Sequence, residues 1–95
     1  MAVGSQQRRQ ERKPLIEAQF WSAHVETVLD LLELADMAWH DCYGPRELEL
    51  PSQVLEDVLL LADGDLVRLV RISREAVMDF RDVRMAADDK RAKNR

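Results

Sequence analysis

The chain has 95 residues, 46% apolar and 34% charged, with a net charge of −4. That length allows one domain at most, and the balance of apolar and charged residues excludes a fully disordered chain. Three glycines and three prolines are too few for the turns of an all-β fold, and no apolar run approaches the roughly 20 residues that span a membrane.

Residues 1–13, "MAVGSQQRRQERK", carry four bases and one acid and almost nothing to bury. They read as a flexible basic arm. Pro14 suits the first turn of a helix, where its missing N–H costs nothing. From Leu15 to about Trp39 there is no Gly or Pro. Trp21, Val25, Val28, Leu32, Ala35 and Trp39 alternate spacings of four and three, which predicts one long helix. Phe20, His24, Leu31 and Ala38 widen the stripe on one side and Leu29 on the other. The apolar face then exceeds what one neighbour covers, while Glu26, Asp30 and Glu33 mark the solvated side.

Gly44-Pro45 ends this helix, since Gly suits the left-handed conformation past a helix end and Pro cannot continue one. Residues 40–51 read as a loop. Ser52 is the expected N-cap of a short helix over Gln53–Ala62. In "DGD", Gly64 is the expected terminator and Asp65 the cap of a last helix, Leu66 to about Lys90. Leu66, Leu69, Ser73, Ala76, Phe80, Val83 and Ala87 form its stripe. Ser73 is the weakest member, and "ISRE" could start a separate helix there. Residues 91–95 are a basic tail. The expected fold is all-α, a bundle over 14–90 of two long helices joined by a short one, or of four helices if Ser73 breaks the last.

At about 1.5 Å per residue the outer two helices would each be nearly 40 Å long and the middle one about 15 Å. A short middle helix cannot cover two long ones, so the broad apolar face needs a further partner. A second copy of the chain is the commonest supplier. Phe20, Trp21, Val25 and Val28 are therefore candidate partner-binding residues, with Val67, Met78 and Met85 as a thin outer stripe on the last helix. Charge is divided as well. Residues 14–63 carry eleven acids and one base, and residues 64–95 carry nine bases and six acids. Complementary neighbours within one molecule or across a dimer explain this pattern most simply.

Chemistry is sparse. "WHDCYGP", Trp39 to Pro45, holds the single cysteine, the single tyrosine and one of two histidines. Asp36 and His40 share the four-residue spacing of one helix face, but zinc sites normally show two ligand pairs and no second pair exists. Cys42 lies two residues from His40, which on a helix means different sides. His24, on the apolar face, reads as a packed ring. Glycines this dispersed make no phosphate loop. One cysteine forms no internal disulfide, and a reducing, cytoplasmic setting is expected.

The expected function is a non-catalytic protein–protein interaction module without cofactor or metal, acting through homodimerisation and an acidic and apolar helix surface. The alternative is a DNA-binding regulator with a degenerate helix-turn-helix over 53–74. In that case Arg68, Arg71 and Arg74 would be recognition-helix residues, although Asp63 and Asp65 sit where that motif is usually apolar. An acidic chain is also the wrong sign for a strong footprint on nucleic acid.

Overall fold

The computed structural model describes residues 6–94, which form five α-helices, one short 3-10 helix and no strand. The chain divides in sequence between Leu50 and Pro51 into two compact units, where one bundle over 14–90 was expected.

The first unit begins with α1 (Gln6–Glu17). Residues 6–13 of the expected arm are thus helical, and residues 1–5 lie outside the described range. Pro14 stands inside this helix rather than at its start. Arg8, Arg12, Ile16 and Phe20 follow one another at intervals of four, and all four are buried. The buried face of α1 therefore carries two guanidinium groups and one apolar side chain, with Phe20 continuing the row beyond the helix end, a pattern that hydrophobic periodicity does not mark. The chain then turns through residues 18–21 and a 3-10 helix, Ser22–His24, before α2 (Val25–Tyr43). The long helix expected from Leu15 to Trp39 is consequently two. At the turn the Gln19 and Phe20 N–H groups both reach the Ile16 carbonyl, at 3.1 and 2.9 Å, and the His24 N–H reaches that of Trp21 at 2.8 Å. No Gly or Pro marks the break. Its cause is tertiary: it lets Phe20 enter the core and lays the α1 arginines on the acids of α2.

Those pairings define the unit. Arg9 spans Glu26, Asp30 and Glu33 at 2.9, 2.8 and 3.1 Å. The hydrogen bond to Glu26 chiefly, with those to Asp30 and Glu33, raises its pKa above the usual arginine value despite partial burial. Its partners Glu26 and Asp30 are two-thirds exposed, so each pair contributes only about 0–1 kcal/mol. Asp36 differs: it is fully buried and grips Arg12 with both oxygens, at 2.8 and 2.9 Å. Its Oδ1 also accepts the Leu50 N–H at 2.9 Å. One carboxylate thereby joins α1, α2 and the end of the following loop. Ile16, Val28, Leu29, Leu32, Trp39 and Leu50 close the core around it, each at most 3% exposed.

The second unit is a three-helix assembly, α3 (Ser52–Ala62), α4 (Leu66–Met78) and α5 (Phe80–Lys93), in which each helix packs on the other two. Val58, Ala62, Leu69, Ala76 and Ala87 are fully buried at its centre. Ser52 is the first helical residue rather than a cap, and Pro51 precedes it. The "DGD" corner forms as expected in type. Asp63 and Gly64 adopt positive φ, 51° and 76°, and the Asp65 side chain accepts the Arg68 N–H at 2.9 Å. Asp65→Ala is expected to cost about 1 kcal/mol, the usual effect of losing an N-cap, measurable by urea denaturation.

The last helix does break, but at Asp79 rather than Ser73. Asp79 is extended (φ −156°, ψ 92°) and caps α5 by accepting the Arg81 N–H at 3.1 Å. Ser73 continues α4 and is partly buried. At the far end Lys90 donates to the Leu60 carbonyl at 2.8 Å, satisfying an acceptor in the last turn of α3. Arg91 donates to the buried Asp57 at 2.7 Å, and this bond, with that to Asp88, raises its pKa.

Candidate interaction surface

Three of the residues expected to meet a partner are interior to the first unit. Phe20, Val25 and Val28 are 5%, 5% and 0% exposed. Folding α1 and the turn against α2 covers the face that looked too broad for one neighbour. Trp21, by contrast, is 70% exposed and meets the partly exposed His24 edge-on, with ring centroids 5.3 Å apart. Leu34 and Met37, one turn apart on α2, are 59% and 51% exposed.

The outer stripe of the last helix is real on α4 only. Val67 and Met78 are each 69% exposed there. Met85 is 67% exposed, but the break at Asp79 puts it on α5 and out of phase with the other two. The helical period places Val67, Arg71, Arg74 and Met78 in one row opposite the buried Leu69 and Ala76, with Val70 beside it at 47% exposure. Arg68, Arg71 and Arg74 are all exposed. Among the described residues their guanidinium groups make no ion pair, whereas Arg9, Arg12, Arg84 and Arg91 do.

Beside this row, α4 and α5 leave an open cleft of about 510 Å³. Leu61, Ile72 and Val83 contribute its apolar lining, and Arg68, Arg71, Lys90, Glu75 and Asp82 its charged lining. No serine, threonine, cysteine or histidine is among the described residues that line it.

"WHDCYGP" resolves into a helix end. Trp39 is 3% exposed and stacks at a tilt on Tyr43, with centroids 4.1 Å apart. The His40 Nδ1–H donates to the Glu47 carbonyl at 3.0 Å, and Trp39 Nε1–H reaches the Glu47 carboxylate at 3.3 Å. Gly44 takes φ 113°, and its N–H closes the helix on the His40 carbonyl at 3.0 Å. Cys42 is an exposed thiol. Asp36, which shares a helix face with His40, is held instead by Arg12. Among the described residues no three His, Cys, Asp or Glu side chains gather as metal ligands.

α3, the three-residue corner 63–65 and α4 follow the order of a helix-turn-helix. The two acids at the corner have structural tasks, Asp65 as the cap and Asp63 beside Lys90 at 3.7 Å. No protein-family model matches the chain, and no curated protein or solved structure matches it either. No described helix is long and apolar enough to cross a membrane.

Proposed function

We propose that this chain is a small, non-catalytic helical protein that acts by binding other proteins. One observation carries the proposal: large apolar side chains stand exposed on α2, α4 and the turn before α2 while each unit already has a closed core. Trp21, Val67 and Met78 are about 70% exposed, a poor use of such side chains in a chain this short unless they meet something. Methionine suits such a role because it adapts to irregular partners. Self-association of two copies belongs to the same proposal, and we assign it to the first unit, where Trp21, Leu34 and Met37 are exposed.

Sedimentation across micromolar concentrations tests the self-association, and cross-linking in native extract tests the partner. A specific partner should be recovered with the native chain and lost with Val67→Asp/Met78→Asp. A compact monomer at every concentration, with no cross-linked protein sensitive to that pair of substitutions, would sink the proposal.

A second reading is favoured by the three arginines of α4 next to the α3–α4 corner, which make no ion pair among the described residues. Here Arg68, Arg71 and Arg74 would contact duplex DNA. Phosphate contacts dominate at low ionic strength, so a chain that binds no random duplex at about 50 mM salt is not a DNA-binding protein.

A further inference from the structure

We propose that the outer row of α4 is a docking strip for an acidic helix of another protein, one that carries two carboxylates a turn apart between apolar residues. The inference rests on the interaction-module reading and names the chemistry of the partner. Val67, Arg71, Arg74 and Met78 are spaced four, three and four residues apart. They present an apolar end, two guanidinium groups and an apolar end along about 16 Å of helix. Arg71 and Arg74 make no ion pair among the described residues, Glu75 of the same helix included, and Val67 and Met78 are each 69% exposed.

The order of the row decides its occupant. It reads the same way in both directions by type. A second copy laid fully over it would therefore set arginine against arginine, whether the two helices ran parallel or antiparallel. Like charges in contact oppose such pairing. A copy shifted by a turn would leave one apolar end uncovered. The chain's own α2 offers Asp30 and Glu33 one turn apart, but Arg9 already holds both, at 2.8 and 3.1 Å. The complement is a helix from elsewhere that places carboxylates at the centre and apolar side chains at each end, laid along α4 as helix packs on helix. A phosphate backbone fits less well. It has no use for Val67, Val70 and Met78, and the second unit carries as many acids as bases, nine of each, so it exerts little long-range pull on a polyanion.

The probe is a synthetic helical peptide of about four turns, with two glutamates one turn apart and leucine beyond each end, titrated into the isotope-labelled full chain. Amide shifts should saturate and concentrate on Val67, Val70, Arg71, Arg74 and Met78. R71E/R74E should weaken binding by about tenfold or more, a factor set by two charge reversals. A peptide with lysines in place of the glutamates should then bind that variant and not the native chain. Circular dichroism of R71E/R74E should match the native spectrum, because both side chains are exposed. The proposal is overturned by shifts that do not saturate, by shifts that map elsewhere, or by a short DNA duplex that takes the same residues more tightly than the peptide. A natural partner lost with V67D/M78D but retained with R71E/R74E would also overturn it, while leaving the interaction-module reading in place.

Discussion

Asp36→Ala is expected to unfold the first unit. Removing one member of a buried ion pair strands the other, at a cost of about 3–5 kcal/mol. Arg12 would keep its charge at 6% exposure, and the Leu50 N–H would lose its acceptor, a further penalty of about 1–3 kcal/mol for a buried donor. At about 0.05–0.15 kcal/mol per residue, a unit of this size has only a few kcal/mol to lose. Both tryptophans, Trp21 and Trp39, lie in this unit, so fluorescence during urea denaturation reads it directly. Native-like fluorescence in the variant at zero denaturant would refute the expectation. Replacing both partners, Arg12→Leu with Asp36→Leu, should cost less than Asp36→Ala alone, because Arg12 is then not left charged and unpaired, while Arg8 keeps Glu49 at 2.7 Å. That comparison separates the net worth of the pair from the penalty of breaking it.

Leu69→Ala is expected to destabilise the second unit by about 2–5 kcal/mol. Leu69 is fully buried on the side of α4 away from Val67 and Met78, and α3, α4 and α5 have few other large side chains at their centre. Ala62, Ala76 and Ala87 fill much of it, so little is available to collapse into the gap. With no tryptophan in this unit, far-UV circular dichroism is the suitable probe. The outer row supplies the control: Val67→Ala removes an exposed side chain and should change stability by less than about 0.5 kcal/mol. Equal effects of the two substitutions would mean that α4 is not buried along the face described.

The helices of the second unit were largely legible because their signals are local. The apolar spacing of Val54, Val58 and Ala62 and the caps around Gly64 need no distant partner. Ala76, Phe80 and Val83 stay in phase across the break at Asp79, so the apolar stripe conceals the cap. Asp79 was the available sign, an N-cap residue immediately before an apolar one. The first unit was legible in α2 and illegible before it. Trp21 and Val25 continue the stripe of α2 in phase, and nothing at residues 18–24 breaks a helix chemically. α1 was missed because its attachment is mostly ionic. Arginines at intervals of four look like a solvated arm unless one already knows that Asp36 faces them. The sequence marks part of the outer row through the spacing of Val67 and Met78. The lack of acids for Arg71 and Arg74 could be established only once the other acids had been placed.

The unequal burial of the α1 arginines bears on how this sequence can drift. Arg9 has three carboxylates within reach, so the loss of Glu26, Asp30 or Glu33 leaves it two others. Those four positions are expected to vary almost independently among descendants of this chain. Arg12 and Asp36 have weaker alternatives, Glu49 at 3.9 Å from Arg12 and Arg8 at 3.7 Å from Asp36, and neither reproduces the two-pronged grip at 2.8 and 2.9 Å. Residues 12 and 36 should therefore change together more often than the Arg9 set does, and Arg8, which also faces Asp36, should change with them.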